Sequence, residues 1–164
     1  MEIEPVVYFD REQRRLWRSG QLPRTWRREY PAIFDPDDLR LALSQPDYGF
    51  YEALVAVHLF EARGYLSLLP KYECPSAGYK REKLRRICDE HVINFMENAE
   101  GTQKQPPDLL VYEPDESDWC FCEVKGPGDR LRPEQEAYFD QLRQLTGKPL
   151  HVVHVVERRG LTAA

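Results

Sequence analysis

Two carboxylates and an ammonium fall within a short stretch of this 164-residue chain, in Pro107-Asp108 and, downstream, in Glu123-Val124-Lys125-Gly126. Those are the groups a Mg²⁺-dependent phosphodiester hydrolase requires. Carboxylate oxygens hold a hard cation, and a lysine supplies compact positive charge beside a phosphate. The chemistry works only if the groups meet in space, so the intervening residues decide whether it is available.

They read as a hairpin. Asp108 to Glu113 and Trp119 to Lys125 have strand composition, and Pro114-Asp115-Glu116-Ser117 has that of a turn, with Pro pre-setting φ at the second position. A turn centred on Asp115 and Glu116 sets Asp108 directly opposite Glu123, with Cβ atoms roughly 5 Å apart. Two like charges that close need a cation or a shared proton. Glu123 and Lys125 are two apart on one strand and share a face.

The remaining elements follow from periodicity and caps. Val6 to Phe9 is a short strand or cap. Asp10 caps a helix to Ser19 that Gly20 ends, residues 20–36 read as mostly irregular around three prolines, and Asp35-Pro36 opens a short helix through Leu43. Ser44-Gln-Pro-Asp47 has capping-box spacing for a helix running to Arg63, with Gly64 as its stop. Its apolar residues nearly encircle it, so it is expected to be buried on several sides. Glu52 lies on the apolar face of Val55, Ala56 and Leu59, where a carboxylate is costly unless partnered. Tyr65 to Glu73 reads as a strand interrupted at Pro70, and Lys80 to Asn98 as one amphipathic helix. Gly126-Pro-Gly128 breaks the chain. A helix opens at Pro133, and Leu150 to Val156 is a β-branched run of the kind buried on both faces. The order helix, strand, strand, strand, helix, strand predicts an α/β sandwich around a mixed sheet. Residues 1–43 are expected to be an arginine-rich N-terminal addition, too small for a core of its own.

Net charge is −5, which by itself argues against a nucleic-acid partner, but the charge is unevenly spread. Arg11 to Arg28 holds seven arginines against Glu12 alone, and Lys71 to Arg86 holds six basic residues against Glu73 and Glu82. Local basic surfaces on an acidic body suit a protein that grips phosphate backbones at one face. Arg14, Arg15, Arg18, Lys80, Arg81 and Arg130 are the expected contacts. Trp17 and Trp26, interleaved with the first cluster, either stack on unpaired bases or pack on the body. No apolar run is long enough to span a bilayer, and Glu2 and Glu4 stand where a signal peptide would be positive, so a cytoplasmic protein is expected. The four histidines show no ligand spacing. Cysteines 74, 88, 120 and 122 read as reduced thiols rather than a Cys₄ zinc site, because Cys120-x-Cys122 is not structural-zinc spacing.

With Pro-Asp and Glu-x-Lys on the second and third strands of an αβββαβ core, the chain resembles the PD-(D/E)xK nuclease superfamily and its restriction-endonuclease-like fold. The string Glu123-Val-Lys-Gly-Pro-Gly-Asp-Arg-Leu131, with Gln135 following, is similar more narrowly to the VRR-nuclease (VRR-NUC) branch. The resemblance covers about residues 46 to 157 and makes 44–164 the nuclease domain. It implies Mg²⁺ (or Mn²⁺) held by Asp108, Glu123, the backbone carbonyl of Val124 and a first-helix acid, Glu52. It implies Lys125 and Gln135 as further catalytic residues, and products with 5′-phosphate and 3′-hydroxyl ends. Asp129 and Arg130 match motif positions that equally serve to fix a loop. The activity implied is that of a metal-dependent DNA nuclease. One setting is a structure-selective endonuclease for branched or flapped DNA in repair or recombination, acting as a homodimer. Another is an antibacterial toxin-type DNase held by a cognate inhibitor protein. A third reading, a non-catalytic nucleic-acid-binding module, fits less well because every expected catalytic residue is present.

Overall fold

The computed structural model describes residues 1–74, 76–98 and 105–158. Its centre is a mixed five-stranded sheet of order β1-β5-β4-β3-β2, formed by β1 (Val6–Phe9), β2 (Leu66–Leu68), β3 (Leu109–Tyr112), β4 (Trp119–Lys125) and β5 (Leu150–Glu157). β2, β3 and β4 form an antiparallel meander, whereas β5 runs parallel to β4 and to β1. A parallel return needs a crossover, and α7 (Pro133–Thr146) supplies it. With α4 (Phe50–Arg63) ahead of β2, the order is the αβββαβ of a restriction-endonuclease-like α/β fold.

The alternation of β3 and β4 feeds two cores, one on each sheet face. Leu109, Val111, Cys120, Cys122 and Val124 pack with Val55, Ala56 and Leu59 of α4. Leu110, Tyr112 and Phe121 pack with Tyr138, Phe139 and Leu142 of α7 and with Leu84, Val92 and Met96. The last three belong to α5 (Tyr79–Ile87) and α6 (Glu90–Glu97). The single helix expected over Lys80 to Asn98 is therefore two. Cys88 is extended, at φ −105° and ψ 147°, and redirects the chain so that both halves lay their apolar residues on one sheet face.

The N-terminal segment enters the first core. α1 (Arg11–Arg18) begins at Asp10, whose carboxylate accepts from the Gln13 N–H, as expected. Residues 20–36 are not mostly irregular, because α2 (Gln21–Glu29) occupies their first half. Pro23 stands in the first turn of that helix, where its missing N–H would have had no partner. α3 (Pro36–Ser44) follows. Trp17, Trp26 and Phe34 pack against one another at tilted angles, and Trp17 also against Phe50, inside the core. Both tryptophans are thus packing residues and not base-stacking platforms.

Two boundaries and one burial pattern also differ from expectation. Ser44 ends α3, and the residue that precedes α4 is instead Gly49, the N-cap, whose φ of 82° suits glycine. The strand expected over Tyr65 to Glu73 shrinks to Leu66–Leu68, because the chain turns at residues 70–73, with Lys71 at φ 70°. β5 is not buried on both faces. His154 and Val156 are exposed while Val153 and Val155 are buried, since the helical layers cover only one side of its second half. Among the described residues no helix is long and apolar enough to cross a membrane.

Candidate active site

The hairpin has the expected register. Leu109 pairs with Cys122 and Tyr112 with Trp119, so the next position of the ladder sets Asp108 against Glu123. There the side chains replace the backbone ladder. The Val124 N–H donates to Asp108 Oδ2 at 2.8 Å, and the Asp108 N–H donates to Glu123 Oε2 at 3.3 Å. Each carboxylate is thereby pinned by the opposite strand.

Glu123 and Lys125, both buried, point to the α7 side of the sheet. Lys125 Nζ lies 2.7 Å from Glu123 Oε1. Gln135, buried in the first turn of α7, closes the triangle. Its Nε2 donates to Glu123 Oε1 at 2.9 Å, and its Oε1 accepts from Lys125 Nζ at 3.1 Å and from the Arg132 N–H at 3.3 Å. The lysine can only donate, so the orientation of the amide is settled. The same carbonyl oxygen satisfies an orphan N–H at the start of α7, tying helix capping to the site.

Glu52 approaches from the first turn of α4. Burial pushes its carboxyl up, and the Glu123 and Asp129 charges add to this, against a hydrogen bond from its own backbone. Asp108 is pushed up to about 8, first by burial and then by Glu123 and Glu52. Three acids thus face one ammonium. The cluster holds excess negative charge when fully ionised, which a divalent cation would relieve. Among the described residues, no three Asp, Glu, His or Cys side chains are gathered closely enough to cage an ion. The donors fit a cation that takes one or two carboxylates and keeps its waters, as Mg²⁺ does.

Tyr48 and Tyr51 border this cluster, and the sequence reading passed over both. The Tyr48 hydroxyl is pushed up to about 12, by burial and then by the Glu52 and Asp108 charges, and Lys71 Nζ sits 5.1 Å from its ring centroid. Tyr51 lies against Gly126, where an added Cβ would come within 2.8 Å of Tyr51 Cε2. This close approach explains the glycine. The available signal was the position of both tyrosines, at the helix start that carries Glu52.

The expected nucleic-acid contacts fall into two groups. Lys80 and Arg81 are buried. Lys80 pairs with Asp38 and reaches the Leu69 and Pro70 carbonyls, and Arg81 pairs with Glu97 and donates to the Glu73 carbonyl at 2.6 Å. They are committed to internal acceptors, which corrects their reading as phosphate contacts. Lys83 and Arg86 likewise converge on Glu116. Arg15, Arg18 and Arg130 are exposed and Arg14 is half-buried. Cys88 and Cys120 are buried thiols that burial pushes up to about 12, as suits inert packing residues.

A carboxylate pair, a lysine and a glutamine thus meet beside the β3–β4 hairpin of a restriction-endonuclease-like fold. The VRR-NUC domain family matches residues 49–157, and the chain belongs to that family. Among curated proteins it is similar to Fanconi-associated nuclease 1 of Danio rerio, 43% identical over 49 residues, which are 30% of this chain and 5% of that protein. Among solved structures it is similar to paFAN1 bound to 2nt 5′ flap DNA with gap, at 21% identity and a TM-score of 0.33, covering 76% of this chain and 23% of that one. It is also similar to paFAN1 bound to 1nt 5′ flap DNA with gap, at 21% identity and a TM-score of 0.34, covering 88% and 26%. The chain therefore spans a small part of these relatives' length.

Proposed function

We propose that this protein is a metal-dependent DNA nuclease, a structure-selective endonuclease that hydrolyses phosphodiester bonds in branched or flapped DNA during repair or recombination. The observation that carries the reading is the network of half-buried Asp108 with buried Glu123, Lys125 and Gln135 in a chain of the VRR-NUC family. The flap-bound relatives favour a branched substrate.

Asp108 and Glu123, with the Val124 carbonyl, would hold Mg²⁺ or Mn²⁺, and Glu52 would add charge from α4. Such an ion, when bound, supplies Lewis acidity and an activated water. The protein's own part is positional. The Val124 N–H aims the Asp108 carboxylate, and Gln135 holds both Glu123 and Lys125, so little reorganisation is left for the reacting state. Lys125 stabilises charge on the phosphoryl oxygens as the attacked phosphate passes through its in-line transition state. Its fixed ammonium also orients the attacking water.

The test is incubation of purified protein with linear, flapped and four-way DNA, with Mg²⁺ or Mn²⁺, beside Lys125→Ala. Cleavage of flapped DNA by the wild type and its loss in the variant are expected. Failure of every substrate with both metals, or undiminished cutting by Lys125→Ala, overturns the reading.

A further inference from the structure

We propose that the arginine face of α1 is a second phosphate-binding site, which holds the DNA backbone beside the carboxylates and away from the scissile bond; it rests on the nuclease reading above. A groove of about 330 Å³ runs along this helix, lined by Phe9, Arg11, Arg14, Arg15, Arg18 and Glu157. Four guanidiniums with one lining carboxylate form a cleft for an anion. Its length along a helix suits a chain of phosphates rather than a single small ligand.

The groove adjoins the catalytic loop through one ring. Arg14 Nη1 donates to the Tyr51 hydroxyl at 2.6 Å, with its guanidinium 5.2 Å from the ring centroid. The Cδ2–Cε2 edge of that ring presses on Gly126, next to Lys125, and Phe9 in the groove packs edge-on against the same ring at 5.5 Å. A backbone lying in the groove is thereby led past Tyr51 toward Lys125 and Glu123.

The arginines can be given over to a phosphate at little cost. Arg11 pairs with Glu157, Arg15 with Glu12 and Arg18 with Asp47, all on the exposed surface. Exposed pairs are weak, and guanidiniums bind phosphate oxygens in the same bidentate fashion as carboxylates. Arg14 already faces a neutral hydroxyl instead of a carboxylate. Apart from Glu157, the lining also lies outside the segment that matches the family, so the arginine face is a feature of this chain's own N-terminal elements.

The test is fluorescence anisotropy with a labelled 5′-flap duplex in EDTA, which prevents cleavage, across a KCl series. Wild type, Arg14→Ala/Arg18→Ala and the control Arg40→Ala, an exposed arginine of α3 paired with Asp37, are compared, with folding checked by thermal denaturation. The double variant is expected to bind about tenfold or more weakly, and its log Kd–log salt slope to fall by about one for each arginine removed. Arg40→Ala should match wild type. An unchanged slope and affinity in the double variant, or a wild type that does not bind, overturns the groove. Binding that depends on the arginines in a protein that cleaves nothing retains the groove and overturns the hydrolytic reading alone.

Discussion

Asp108→Asn should make the metal-free protein more stable while abolishing cleavage. The Asp108 carboxyl is pushed from its ordinary 3.8 to about 8 by burial and by Glu123 and Glu52. An acid whose pKa is raised on folding binds more protons folded than unfolded. Its contribution therefore falls as pH rises from the unfolded value to the folded one. At 1.36 kcal/mol per unit, protonating or crowding this group at pH 7 costs about 4 kcal/mol. The asparagine carboxamide keeps the oxygen that accepts from the Val124 N–H and carries no charge, so most of that cost disappears. The amide still has to be buried, and we expect a gain of about 1–4 kcal/mol at pH 7.

Urea denaturation from pH 5 to 9, in EDTA and with Mg²⁺ or Mn²⁺, measures this. Asp38, pushed up to about 6 by burial, titrates in both proteins, so the difference between the two curves reports Asp108 together with the carboxylates that crowd it. That difference should widen from pH 5 to 8. Divalent metal should stabilise the wild type, increasingly as pH rises and the carboxyls ionise, and should stabilise the variant much less. Equal stability with parallel pH curves would refute the reasoning, because the carboxylates would then not be crowded at all.

Other perturbations probe the neighbours. Lys125→Ala should lower kcat by about 10²–10³ with DNA affinity little changed, read in single-turnover assays with Mg²⁺. Gln135→Ala should cost about 10–100-fold in activity by releasing both Glu123 and Lys125. Gln135→Glu should cost more, because an acceptor then faces Glu123 Oε1, and a pH–rate profile displaced upward would show the added charge. Lys80→Ala should destabilise by about 3–5 kcal/mol, leaving Asp38 buried and unpaired. Lys80→Met with Asp38→Leu should recover most of that stability in the same urea titrations, and neither change should alter DNA affinity of the folded protein. Gly126→Ala drives a methyl into the Tyr51 ring and should cost about 1–3 kcal/mol by overpacking, with partial rescue by Tyr51→Ala.

The legible parts of this protein were those governed by local rules. The hairpin register followed from a turn containing Pro114 and from strict two-residue alternation, which leaves no freedom once one face is buried. The start of α1 at Asp10 and the crossover helix opening at Pro133 followed from capping chemistry. The errors arose where a local signal had two readings. Pro23 looked like a breaker and instead opens a helix. Ser44 looked like a cap and instead ends one, donating to the Leu41 carbonyl at 3.1 Å. Lys80 and Arg81 looked like surface charge because Asp38 and Glu97 lie far away in sequence.

By itself, then, the sequence determined the strand pair, the facing carboxylates of Asp108 and Glu123, and the shared face of Lys125, because turn geometry and strand pleat are properties of a few consecutive residues. Tertiary structure decided the rest. It brought Gln135 onto Glu123 and Lys125 from the crossover helix, placed Glu52 beside them from the opposite layer, and set Tyr51 between Gly126 and Arg14. It also divided the basic residues into buried ion pairs and an open groove. Those outcomes depend on how the helical layers pack against the two sheet faces. Packing selects partners by distance in space, and spacing along the chain does not encode that distance.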